Sequence, residues 1–88
     1  MHTIQVTVKS QHGIHARPSA MIVEYVRCHK STVTIENPKN NKKVTADSIL
    51  SMLSIDTDCG ELVIIKGYGP DEEEVVEYIG KIITEYDI

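Results

Sequence analysis

The rhythm of apolar and polar side chains changes several times along this chain, and each change marks an element. Ile4, Val6 and Val8 alternate with Thr3, Gln5, Thr7 and Lys9, the period-two pattern of a strand with one wet face, so residues 3 to 9 are predicted to be extended. From about residue 16 to 28 the period lengthens. Ser19, Ile22, Val23 and Val26 fall at the spacing that lines one face of a helix, and Pro18 suits its first turn, where the missing N–H has no intrahelical partner to lose. Val33 and Ile35 then alternate with Thr32, Thr34 and Glu36. Asn37, Pro38, Lys39, Asn40 and Asn41 reverse the chain, Val44 and Ala46 point inward on a short return strand, and residues 31 to 46 read as a hairpin. Lys39, Lys42 and Lys43 assign that hairpin to an edge of the sheet.

A short helix is predicted over residues 49 to 53, with Ser48 or Asp47 as its N-cap. In the strand that follows, residues 61 to 66, the consecutive aliphatics Leu62, Val63, Ile64 and Ile65 predict burial on both faces and a central position. The last helix starts near Pro70. It carries Asp71, Glu72, Glu73 and Glu74 in its first turn, where they favour the helix dipole, and buries a stripe of Val75, Val76, Ile79, Ile82, Ile83 and Tyr86. Gly80 is the blemish in that stripe, at a cost of about 1 kcal/mol relative to alanine. The order β, α, β, β, α, β, α predicts an α+β fold: a two-layer open-faced sandwich, its four-stranded antiparallel sheet covered on one face by three helices. Without a repeat, linker or low-complexity segment, residues 1 to 88 are expected to form one domain.

Composition narrows the function. A chain of 88 residues has room for one small core. Nine basic and thirteen acidic side chains give a net charge of −4, with neither Trp nor Phe, so a basic, aromatic-studded nucleic-acid surface is disfavoured. No apolar run approaches the length of a membrane span, and no basic segment followed by an apolar one opens the chain, so membrane insertion is not expected and the cytoplasm is the expected compartment. Cys28 and Cys59 lack a partner pattern and are expected as reduced thiols. His12 and His15 have no acid or cysteine at ligand spacing, and His2 and His29 look incidental, so no metal and no cofactor is expected.

The chemistry concentrates in Gly13, Ile14, His15, Ala16, Arg17 and Pro18. His15 is predicted to stand at the mouth of the first helix, where unpaired backbone N–H groups and the positive end of the dipole favour an anion. Arg17 adds a permanent charge and a planar fork of donors matched to phosphate or carboxylate. A neutral imidazole beside them can act as a nucleophile near neutral pH. The alternative on residue types alone is a surface or capping histidine beside a solvated arginine.

The stretch from Gly13 to Ser19 resembles the active-site signature of HPr, the histidine-containing phosphocarrier of the bacterial phosphoenolpyruvate-dependent sugar phosphotransferase system, and residues 47 to 55 resemble that family's second signature. The resemblance runs through essentially the whole chain. It implies that His15 accepts a phosphoryl group on its Nδ1 from phosphorylated Enzyme I and passes it to a histidine of a sugar-specific IIA protein. It further implies that Arg17 and the amides of Ala16 and Arg17 steady the phosphate. Ile14, Pro18, Ile49, Leu50, Leu53 and Arg27 become the expected docking residues, with Arg27 and Lys30 extending a basic patch that Glu24 dilutes. Ser48 falls where many Gram-positive members carry a serine phosphorylated by an ATP-dependent HPr kinase/phosphatase. Asp47, where the family often has Lys, and Ser51, where it often has Gly, depart from that second signature, and a serine is also expected there as a plain N-cap. His12 stands where the family usually carries Asn or Ser.

The expected function is therefore a stoichiometric phosphohistidine carrier without turnover of its own, monomeric, serving sugar uptake. The alternatives are an HPr-like protein of a nitrogen-related or regulatory branch, an interaction module that is never phosphorylated, and a metal-binding module.

Overall fold

The computed structural model describes residues 1–9, 13–14 and 16–85. Four strands, β1 (His2–Thr7), β2 (Thr32–Asn37), β3 (Lys42–Thr45) and β4 (Leu62–Tyr68), combine with three helices, α1 (Ala16–Arg27), α2 (Ile49–Leu53) and α3 (Glu72–Glu85), in the order β1, α1, β2, β3, α2, β4, α3. All pairings are antiparallel, and the strand order is β1-β4-β2-β3. The hairpin thus lies at one end of the sheet with β3 outermost, and β4 is central. Ile4, Ile65, Ile35 and Val44 pair into one row across all four strands, which makes the inner face continuous. The opposite row of Thr3, Lys66, Thr34 and Thr45 faces away from it.

Burial on both faces, expected for β4, does not occur. Val63, Ile65 and Gly67 are buried, whereas Leu62 is 41% exposed and Ile64 and Lys66 are half-buried. Only one face of the sheet is roofed by helices, so a run of aliphatics here packs one side and leaves the other in partial contact with water.

The helical stripes lie as their spacing predicts. Ser19, Ile22, Val23 and Val26 are buried on α1, and Val75, Val76, Ile79, Ile82 and Ile83 on α3; Tyr86 lies outside the described residues. Gly80 is not a blemish. A Cβ there would come within 2.5 Å of Ile4 Cδ1, so the missing side chain lets α3 settle directly on β1. The acids at the start of α3 also have partners more specific than the dipole. Asp71 accepts from the Ser31 hydroxyl and the Lys30 N–H, and both hold its carboxyl below the usual aspartate range. Glu72 pairs with the Met1 α-ammonium at 2.7 Å and accepts from the Gly69 N–H at 3.2 Å, and its carboxyl is likewise held low.

Candidate functional site

Helix α1 opens at Ala16, directly after position 15. Ala16 and Arg17 are exposed, while Pro18 and Ser19 are buried. The first turn is therefore fixed from beneath by its third and fourth residues, and its first two look outward. Its far end is closed by i→i−3 bonds from Cys28 to Tyr25 and from His29 to Val26, and His29 Nδ1 lies 2.7 Å from the Tyr25 carbonyl oxygen, a second partner for it. His12 and His15 lie outside the described residues, and the site is read from both sides of them.

On the upstream side the chain is held tightly. Gly13 has φ 69°, and a Cβ on it would overlap the Thr57 carbonyl oxygen. The Ile14 N–H donates to Thr57 Oγ1 at 2.9 Å. Val8 N–H donates to Glu61 O at 2.9 Å, Gly60 N–H to Val8 O at 2.7 Å, and the Cys59 thiol lies 3.5 Å from the Lys9 carbonyl oxygen. Residues 57 to 61 therefore contact the chain both before and after residues 10 to 12. That segment is itself braced by Glu61, whose carboxylate accepts the Asp58 N–H at 2.7 Å and pairs with Lys39 at 3.2 Å. The Asp58 N–H is the larger cause holding the Glu61 carboxyl below the usual range, and Lys39 adds to it.

The expected docking residues divide. Leu50 is 79% exposed, Ile49 41% and Leu53 40%, and they line the outer side of α2 while Met52 fills the core beneath. Ile14 and Pro18 do not share that surface: Ile14 is only 7% exposed and Pro18 is buried. Ile14 turns inward because its N–H is drawn to Thr57 and its side chain completes the core. Arg27 is exposed, and its Nη2 donates to the Asp47 carbonyl at 3.3 Å, which ties α1 to the start of α2. Ser48 occupies the expected N-cap position with extended backbone, and its side chain makes no capping bond.

Met21 was not singled out by the sequence. It is 39% exposed and follows Arg17 by one helical turn, so the i, i+4 spacing of Arg17 and Met21 opposite the buried stripe was the available signal. Thr57 gave no signal, because it sits in a connection without periodicity. Among the described residues no group of three or more His, Cys, Asp or Glu is arranged to hold a metal ion, no helix is long and apolar enough to cross a membrane, and Cys28 and Cys59 are free and exposed.

Arg17 is thus exposed on the first turn of α1, the chain on either side of residues 10 to 12 is held by residues 57 to 61, and α2 presents exposed Ile49, Leu50 and Leu53. A family model described as the PTS HPr component phosphorylation site matches residues 2–85. The phosphocarrier protein NPr of Proteus mirabilis is 35% identical over 75 residues, 85% of this chain and 82% of that protein. The phosphocarrier protein HPr of Buchnera aphidicola is 30% identical over 83 residues, 94% of this chain and 95% of that one. The crystal structure of HPr from Thermoanaerobacter tengcongensis superposes with a TM-score of 0.83 at 32% identity, covering 94% of this chain and 91% of that one. The chain belongs to the HPr family of phosphocarrier proteins.

Proposed function

We propose that this chain carries a phosphoryl group on His15, taken from phosphorylated Enzyme I and passed to a IIA protein for sugar uptake. The observation that carries the reading is the first turn of α1, with Arg17 exposed two residues beyond residue 15 on a turn anchored by buried Pro18 and Ser19. In the transfer, the Nδ1–P bond forms at His15 as the bond from phosphorus to the donor nitrogen breaks, and the second transfer reverses the roles. Phosphoryl transfer through a loose transition state asks chiefly for positioning and for charge around the equatorial oxygens. The Arg17 guanidinium and the amides of Ala16 and Arg17 supply that charge. Ile49, Leu50 and Leu53 supply the apolar contact for the partner, with Arg27 at its margin. The chain acts as a stoichiometric, monomeric intermediate in the cytoplasm, without turnover of its own, and Ser48 is its candidate regulatory phosphosite for a kinase.

The test is intact mass after incubation with phosphoenolpyruvate, magnesium and Enzyme I, on wild type and His15→Ala, followed by acid. One phosphoryl group that requires His15 and is lost in acid is expected. No uptake by wild type, with a control HPr phosphorylated in parallel, would falsify the reading. The similarity to NPr, at 35% identity, against 30% for the Buchnera HPr, favours a second reading in which the acceptor belongs to a nitrogen-related branch. Transfer from the phosphorylated chain to a nitrogen-branch IIA in preference to sugar-specific ones would select it.

A further inference from the structure

We infer that Thr57 is a positioning residue for phosphoryl transfer at residue 15. This inference rests on the phosphocarrier reading and adds a side chain to it that touches no reacting atom. The Ile14 N–H, one residue before the acceptor, donates to Thr57 Oγ1 at 2.9 Å, and Thr57 is 7% exposed. The bond is thus largely closed to solvent. The same residue acts a second time through its main chain, because its carbonyl oxygen occupies the place a Cβ on Gly13 would take. One threonine therefore sets both the direction of the backbone at Gly13 and the height of Ile14. Val8 and Lys9 are held by the adjoining residues Cys59, Gly60 and Glu61. The chain is thus held before residue 10 by the segment from Cys59 to Glu61 and after residue 12 by the Thr57 side chain. Of these contacts, only the hydroxyl bond to Ile14 both adjoins the acceptor and can be deleted without altering the backbone.

A small displacement of a reacting group is costly in transfer rate even when the fold is intact. Thr57→Val keeps the shape of the side chain and removes the acceptor, while Thr57→Ser keeps the hydroxyl and removes a methyl group. Phosphorylation of each by Enzyme I with phosphoenolpyruvate and magnesium is measured as a function of carrier concentration. Correct folding is checked by amide NMR spectra, and hydrogen exchange is followed at the Ile14 amide. For Thr57→Val we expect kcat to fall by roughly ten- to a hundredfold with KM nearly unchanged, and the Ile14 amide to lose protection. Thr57→Ser restores both. Should Thr57→Val fail to fold, Thr57→Ala takes its place against Thr57→Ser. A folded Thr57→Val with the wild-type kcat, or with the Ile14 amide still protected, overturns the assignment. Absence of phosphate uptake by wild type instead overturns the carrier reading and the role of Thr57 in transfer with it, and the exchange data then separate that outcome from a missing hydrogen bond.

Discussion

A φ of 69° at Gly13 costs a side-chain-bearing residue about 1–3 kcal/mol, and the Thr57 carbonyl oxygen occupies the space a Cβ would need. Gly13→Ala is accordingly expected to lose at least that much stability in urea denaturation, and a midpoint equal to wild type would contradict the account. The glycine was legible as part of a signature, but its cause was not, because the atom that excludes a side chain belongs to residue 57. Ile14 carries the same lesson in the other direction. Its apolar side chain fitted either the core or a docking face, and the hydrogen bond from its N–H to Thr57 Oγ1, invisible in the order of residues, turns it inward. Arg17 was readable because its exposure follows from helical phase alone: the buried stripe fixes which neighbours face out.

Among the elements, the two long helices were readable from period, and their packing partners were not. Gly80 looked like a loss of helix propensity until β1 was found beneath it. Gly80→Ala should gain about 1 kcal/mol of propensity and forfeit part of it by displacing Ile4 Cδ1, 2.5 Å from the new methyl carbon. Ile4→Val removes that atom, at a usual cost of about 0.5–1.5 kcal/mol. In a double-mutant cycle the pair should therefore be more stable than the sum of the singles by about 0.5 kcal/mol or more; strict additivity would show that the helix and strand are not in contact at this point. The start of α3 offers a pH test. The Ser31 hydroxyl and then the Lys30 N–H depress the Asp71 carboxyl below the usual aspartate value of 3.8. A depressed carboxylate stabilises the fold fully above its unfolded pKa and loses that contribution as pH falls through the folded one. The stability gap between wild type and Asp71→Asn should accordingly be steady from neutral pH down to about pH 5 and close below about pH 4. A gap that stays constant into strong acid would exclude the carboxylate as its source. The strand β4 marks a limit of pattern reading: four aliphatics in a row cannot say whether a second layer exists to cover Leu62 and Ile64, since that depends on where three helices choose to pack.

The whole molecule separates the exposed apolar face of α2 from the core that holds it in place. Met52 fills the core at 0% exposure while Leu50, two residues earlier on the same short helix, is 79% exposed. Leu50→Glu should leave unfolding stability within about 0.5 kcal/mol of wild type and raise KM for phosphorylation by Enzyme I. A large loss of stability would instead place Leu50 among the residues that hold α2 down. The α+β sandwich as a whole followed from element order, and the four aliphatics of β4 and the lysines of the hairpin also pointed to their central and edge places in the strand order. That order has a consequence for how the protein is made. Strand β1 has β4 as its neighbour, and β4 also stands between β1 and the hairpin. On a ribosome, the first third of the chain therefore emerges with no sheet to join, and the hairpin alone can close by local contacts. Thr57, Glu61 and β4 arrive late, and only then can the loop before α1 take its shape. A nascent chain interrupted short of residue 57 carries the whole stretch from Gly13 to Ser19 and none of the residues that hold Val8, Gly13 and Ile14 in place.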